Sequence, residues 1–240
     1  MEKVSIRGIE ILTVRNEDDF VNFLLNEQEI KTGKLIAINA EKIIISEKQT
    51  EVRALLEEAE YNYADGISIV FSIRKKYPRF HDLERIAGVD LWSALMRQAG
   101  KLGTPVFLIG SQKETLQDVK AKLLQWNVNI VGTQDGYFSA DKEHDIIKRI
   151  KESQAQLITV AMGSPKQEKL MLKMQQQYPN ALYMGVGGTY DVFTNRVKRA
   201  PESWRKMNLE WLYRLLSQPT RWRRQLNLLR YAYYYLTNKL

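Results

Sequence analysis

The sequence predicts an α/β fold: a parallel sheet covered by helices on both faces, followed by a pair of C-terminal amphipathic helices of a different character. Three observations carry that expectation. Short β-branched runs alternate with helical patterns along residues 1–195. Several of those runs, VFLI and LITVAM among them, are apolar throughout, as strands buried on both faces must be. The charge is also divided: residues 1–195 carry 25 Lys/Arg against 26 Asp/Glu, whereas residues 196–240 carry 11 against Glu202 and Glu210 only. The whole net charge of +8 therefore belongs to the tail.

Taken in order, LIAIN (35–39) reads as a strand, followed by a helix from about Glu51 to Tyr61. TPVFLIG (104–110) is a strand before a helix from Lys113 to Trp126. VNIVG (128–132), QLITVAMG (156–163) and ALYMGVGG (181–188) are further strands with helices between them. No repeat and no Ser/Gly/Pro linker divides residues 1–195, so they form one unit. Right-handed crossovers make such a sheet doubly wound, with ligands at the carboxyl ends of its strands. In residues 196–240, Leu209, Leu212 and Leu216 recur at helical spacing, and SQP stops the helix at Pro219. A second helix then places Trp222, Leu226, Leu229, Tyr233 and Leu236 on one stripe, flanked by Arg221, Arg223, Arg224 and Arg230. Two readings fit this pattern: an interfacial helix seeking an anionic surface, or a helical pair closing on the core.

Composition excludes several classes. There is no Cys and there are only two His, His81 and His144, which rules out disulfides, zinc–thiolate sites, iron–sulfur clusters and a cysteine nucleophile. No apolar run approaches the ~20 residues of a membrane span, and MEKVSIRGIEIL lacks a signal-peptide core, so a cytoplasmic protein is expected. Neither the dinucleotide fingerprint nor a P-loop is present, which disfavours a nicotinamide oxidoreductase.

Four segments beside strands carry polar chemistry: INAEK (38–42), YADGISIV (63–70), GSPKQE (163–168) and GVGGTYDVF (185–193). Gly187 and Gly188 allow backbone N–H groups to approach a phosphate or sugar, with Asp191 one turn on. In GSPKQE, which opens on Gly163, Ser164 as N-cap, Pro165 at the first helical position and Gln167 three residues after the cap make a capping box. The other reading turns Lys166 and Gln167 towards a ligand in the crevice. Asp65 is either a turn residue or, in a chain so poor in His and Cys, the general base. Asn39 either caps the following helix or orients a substrate hydroxyl.

These segments, together with RIAGVDLW, GTPVFLIG, WNVNIVGTQDGYF, LYMGVGGTYDVFTNRVKRAP and LEWLYRLLSQPTR, closely resemble the WecG/TagA/CpsF glycosyltransferases from about residue 5 to residue 235. Within that family the likeness is to the branch transferring N-acetylmannosaminuronic acid in enterobacterial common antigen synthesis. The resemblance implies a Rossmann-like core of the type called GT-E over residues 1–195, with a membrane-engaging appendage over 196–240. It implies an inverting transfer, without metal or cofactor, from a UDP-sugar to the 4-hydroxyl of GlcNAc-diphosphoryl-undecaprenol on the cytoplasmic face of the inner membrane. By motif, Asp65 takes the base role, Asn39, Arg85 and Gln167 line the sugar site, and Arg214, Arg221 and Arg224 complete it from the appendage. One position departs from the pattern: Ala37 stands where teichoic-acid members carry a Thr, so a hydroxyl contact there is lost.

The physical chemistry runs in the same direction. An inverting attack through an oxocarbenium-like transition state needs one carboxylate base and no nucleophile. The departing diphosphate needs a cation, and with no D-x-D pair in the sequence, arginines are the candidates. A uronic acid donor adds a carboxylate to be paired by Lys166 or by the run Arg74, Lys75, Lys76; an uncharged N-acetylmannosamine donor is the runner-up. A basic, aromatic tail gripping nucleic acid is the alternative of another class, and the resemblance sets it aside for an anionic membrane surface. A homo-oligomer is compatible with the sequence.

Overall fold

The computed structural model describes residues 1–217 and 222–240. The chain begins with β1 (Lys3–Ile6), β2 (Ile9–Leu12), α1 (Glu17–Leu24), β3 (Gly33–Ile38), α2 (Ala40–Lys48), α3 (Thr50–Glu57), β4 (Tyr61–Ala64), α4 (Ile67–Lys76) and α5 (Gly88–Leu102). It continues through β5 (Val106–Gly110), α6 (Lys113–Leu124), β6 (Ile130–Gln134), α7 (Glu143–Glu152), β7 (Leu157–Ala161), α8 (Lys166–Gln177), β8 (Leu182–Gly185) and α9 (Thr189–Phe193). Three helices follow: α10 (Glu202–Lys206), α11 (Glu210–Ser217) and α12 (Trp222–Leu236).

The eight strands form one sheet in the order β1-β2-β4-β3-β8-β7-β5-β6, parallel except for the β1–β2 hairpin. Successive residues of each strand point to opposite faces, and here both faces are apolar. Ile36, Phe107, Ile158 and Tyr183 belong to one core, under α2, α3, α4, α7 and α8. Leu35, Leu108, Leu157 and Leu182 belong to the other, under α1, α5, α6 and α9. This is the Rossmann-like, doubly wound architecture expected from the continuous apolar runs.

Three strands differ from the sequence expectation. β1 and β2 are only four residues each and are joined by Arg7 and Gly8, both at positive φ (54° and 82°). β4 lies where the pattern suggests the end of a helix; that helix is α3 and stops at Glu57. β4 hides because Asn62 sits in its middle: buried, its Nδ2 donates to Glu10 O (3.0 Å) and Leu56 O (2.7 Å), stitching β2 and α3 to the strand.

The C-terminal helix divides its two sides between protein and surroundings. Tyr231 is 2% exposed and its hydroxyl donates to Ser72 Oγ (2.8 Å), while the Tyr234 hydroxyl donates to Glu47 Oε2 (2.9 Å). Glu47 also receives Arg7 Nε at 2.8 Å, and the Arg7 guanidinium lies over the Tyr234 ring. On the other side Leu229 (69% exposed), Tyr233 and Leu236 (75%) face outward. The helix thus closes on the core through its tyrosine side and leaves Leu229, Tyr233 and Leu236 outside, while Pro219 and the side chains of Trp222, Arg223 and Leu226, the rest of the expected pattern, lie outside the described residues. Among the described residues no helix is long and apolar enough to cross a membrane.

Candidate functional site

The carboxyl ends of β4, β3 and β8, three neighbouring strands, carry the polar groups (about 4.8 Å separates adjacent strands). Ile38 pairs with Ala64, so Asn39 and Asp65 are the next residues out on β3 and β4. The turn after β4 is tied to β3 by Asp65 N–H and Gly66 N–H, both donating to Ile38 O (3.1 and 3.2 Å). Connections leave β3 and β8 on opposite faces, through α2 and α9, which opens a crevice between them.

Asp65 stands at that crevice with its side chain 26% exposed. Its Oδ1 accepts from Gly88 N–H at the first turn of α5 (2.9 Å), and Oδ2 accepts from no described residue. One oxygen is thus anchored and the other is available to a hydroxyl. Arg85 Nε donates to the Asp65 carbonyl (2.6 Å), and its NH2 lies 3.9 Å from Asp65 Oδ1 and 3.0 Å from Glu210 Oε2. Beneath them Tyr63 is fully buried with no partner for its hydroxyl among the described residues. Burial, with the Asp65 charge adding, pushes that hydroxyl well above its ordinary value and keeps it protonated. A Cβ on Gly88 would sit 3.1 Å from the Tyr63 oxygen, a tight contact that the ring would have to relieve by a few tenths of an ångström.

Asn39 is the N-cap of α2, its Oδ1 accepting from Lys42 N–H at 3.0 Å. The capping reading of Asn39 therefore holds, and its Nδ2 has no partner among the described residues. The capping box in GSPKQE does not form. The helix begins at Lys166, Pro165 occupies the cap position, and no side chain caps it. Gln167 turns instead into the crevice, its Oε1 accepting from Gly187 N–H (3.0 Å) and its Nε2 donating to Glu168 Oε1 (3.1 Å). Gly185 makes room for it, since a Cβ there would meet Gln167 Nε2 at 2.6 Å.

Two functional groups escaped the sequence reading. Lys42 Nζ and Glu168 Oε1 form a buried ion pair at 2.8 Å, 126 residues apart in sequence. Burial alone would raise the Glu168 carboxyl, but the Lys42 charge and hydrogen bond outweigh it and hold the group below the ordinary carboxylate value. A continuous chain results: Gly187 N–H to Gln167, Gln167 to Glu168, Glu168 to Lys42, and Lys42 to Asn39. It fixes both amides: Gln167 is buried with its oxygen and its nitrogen both bonded, while Asn39 is half-buried with its Nδ2 unpartnered among the described residues.

The remaining expected residues spread along the same edge. Gly163 lies after β7 with φ 74°, its carbonyl accepting from Gln167 N–H. Gly188 is the cap of α9 with open space at its Cβ position. Asp191 accepts a long hydrogen bond from Ser111 Oγ (3.4 Å). Lys166 points away from Gln167, towards Gly136 O (3.4 Å) and the Phe138 ring. The run at 74–76 is spent elsewhere: Arg74 on Leu83 O, Lys75 on Tyr235 O and Lys76 on Ser5 O and Leu240 O. It is therefore withdrawn as the partner of a donor carboxylate. Arg221, and the side chains of Arg214 and Arg224, lie outside the described residues. No group of three or more His, Cys, Asp or Glu able to hold a metal ion occurs among the described residues.

An amide-lined edge and one half-anchored carboxylate with Arg85 beside it suit the transfer of a polyhydroxylated group. Comparison with known families settles the class, because residues 4–240 match the glycosyl transferase WecG/TagA/CpsF family. The chain belongs to that family. It is a glycosyltransferase of cell-surface polysaccharide synthesis, a hexosyltransferase with a sugar donor and an acceptor.

Proposed function

We propose that this glycosyltransferase moves N-acetylmannosaminuronic acid, with inversion and without a metal, from UDP to the 4-hydroxyl of GlcNAc on undecaprenyl diphosphate, the step of enterobacterial common antigen synthesis that its sequence resembles. The observation that carries the reading is the state of Asp65. One oxygen is bound by Gly88 N–H, and the other accepts from no described residue. The acceptor hydroxyl approaches Oδ2, which removes its proton as the oxygen attacks the anomeric carbon from the face opposite the nucleotide. Asn39, after β3, and Gln167, at the start of α8 after β7, orient the donor sugar, and the glycines at 187 and 188 take the diphosphate against backbone N–H groups. Arginines from the C-terminal segment, Arg214, Arg221 and Arg224, offset the charge that develops on the leaving nucleotide.

The acceptor is a lipid, and the outward stripe of α12 supports delivery to it. Leu229, Tyr233 and Leu236 are exposed beside a strongly basic segment, the combination that partitions into an anionic interface on the cytoplasmic side. Residues 196–240 then act as a membrane-engaging appendage on a 1–195 catalytic core.

The test is a transfer assay with UDP-ManNAcA or UDP-ManNAc and a GlcNAc-diphosphoryl lipid, with and without chelator. Turnover with the uronic acid donor, insensitive to chelator, is expected. Preference for the uncharged donor moves the assignment to UDP-ManNAc, and loss of activity in chelator restored by magnesium or manganese overturns the metal-independent mechanism. Flotation with anionic vesicles, lost in L229S/L236S, checks the appendage.

A further inference from the structure

Residues 196–240 contain two acids, and the structure treats them oppositely. Glu202 is exposed and pairs with Lys206 one turn along its own helix. Glu210, at the start of α11, is 3% exposed and is driven into the corner that holds Asp65. Its Oε2 accepts from Arg85 NH2 at 3.0 Å, and its Oε1 lies 3.8 Å from Arg199 Nε. Arg199 is itself held by a two-pronged contact to Asp90 on α5 (2.5 and 2.6 Å). Burying a carboxylate is costly unless it is paired and bonded, so its position has to be specified by what it holds. Among the described residues its hydrogen bond goes to Arg85, the side chain whose Nε grips the Asp65 carbonyl at 2.6 Å.

We propose that Glu210 is a positioning residue for the transfer: seated with α11, it aims Arg85 and, through it, the turn that presents Asp65. The inference rests on the transferase reading above and adds to it a route by which arrival of the appendage is felt at the base. Among the described residues, the charged groups around this corner are Arg85 from the loop before α5, Asp90 on α5, Arg199 from the chain after α9, and Glu17 on α1, with Tyr63 below. Arg85 is the member of that set in hydrogen-bond contact with both Asp65 and Glu210, so a disturbance at α11 reaches the base through it. Without the Glu210 carboxylate, Arg85 loses its outer tether, its guanidinium swings, and the Asp65 turn loosens, releasing the Gly88 N–H that Asp65 Oδ1 covers.

Two measurements on the full chain test this. In the transfer assay, Glu210→Gln should lower kcat about tenfold with donor KM changed less than about twofold, and the loss should vanish in an Arg85→Lys background, since the two act as one unit. A purely anchoring Glu210 would give losses that multiply in the double variant, and that result overturns the proposal. Amide exchange supplies a readout that needs no substrate: Gly88 should exchange about tenfold faster in Glu210→Gln, whereas unchanged exchange at Gly88 with loosening confined to α11 overturns the coupling. Glu210→Asp, which withdraws the carboxylate by one methylene, gives the same readouts at smaller amplitude should the Gln variant fold poorly. Absence of turnover in the unaltered protein would count against the donor and acceptor assignment, and the exchange result at Gly88 would still decide the coupling.

Discussion

Two crevices open along the carboxyl edge of this sheet, and they are built in opposite ways. Between β7 and β5 the backbones are laced together. Ser111 N–H donates to Ala161 O (2.9 Å) and a Cβ at Gly110 would come within 2.3 Å of the Ala161 oxygen, while Gly136 N–H, from the turn after β6, donates to Ser111 O (2.9 Å) from the other side. Between β3 and β8, side chains do the bridging through Gln167, Glu168, Lys42 and Asn39. Connections diverge at both places, which is the general condition for a ligand crevice. The contrast teaches that topology offers such sites and that main-chain hydrogen bonds decide which of them stay available.

That contrast can be broken in graded steps. The largest effect should come from Asp65→Asn beside the open crevice: about 10²–10⁴-fold less turnover with an unchanged melting temperature, the ordinary worth of a general base. Near-normal turnover would remove Asp65 from that role. At the laced crevice the damage should fall on stability. Gly110→Ala combines a φ of 110° with the contact to Ala161 O, and about 3 kcal/mol should be lost, seen as a fall of roughly 6–12 °C in melting temperature.

An intermediate effect should appear on acidification. Because the folded Glu168 carboxyl titrates below its unfolded value, the Lys42 pair contributes stability that is fully present above the unfolded carboxylate value and disappears as pH falls through the folded one. Urea unfolding compared at neutral and acid pH should show a loss that is smaller in Lys42→Met, where the cation that lowers Glu168 is gone. The smallest effect belongs to Ser111→Ala, which removes only the 3.4 Å bond to Asp191 and should change stability by less than about 0.5 kcal/mol.

What was legible in the sequence follows from the same physics. β3, β5, β7 and β8 were readable because they lie inside a parallel sheet, where strand interiors become continuous apolar runs; β6, half-buried at the sheet's edge, was readable only from the short apolar start of its run. β4 was not, since Asn62 interrupts its run to hydrogen-bond two other elements, nor was the β1–β2 hairpin, whose Arg-Gly turn lacks the usual Asn-Gly or Asp-Gly signal. In the site, each residue of a strand end announced itself locally, Asn39 and Asp65 among them. Local pattern misled at GSPKQE, where a sequence fit for a capping box yields to the pull of Gly187 N–H and Glu168 on Gln167. The Lys42–Glu168 and Arg85–Glu210 pairs join residues more than a hundred positions apart, and nothing in either neighbourhood marks the partner.

The way Gln167 is held has a consequence for the protein as a chemical substance. Slow deamidation in a stored sample, or the single-base change to glutamate, would set a second carboxylate about 3 Å from Glu168, with one ammonium to share between them. Such an aged molecule would keep its strands and helices while losing the amide proposed to orient the sugar. A preparation gaining one negative charge on standing would therefore be expected to fade in potency before it shows any sign of unfolding.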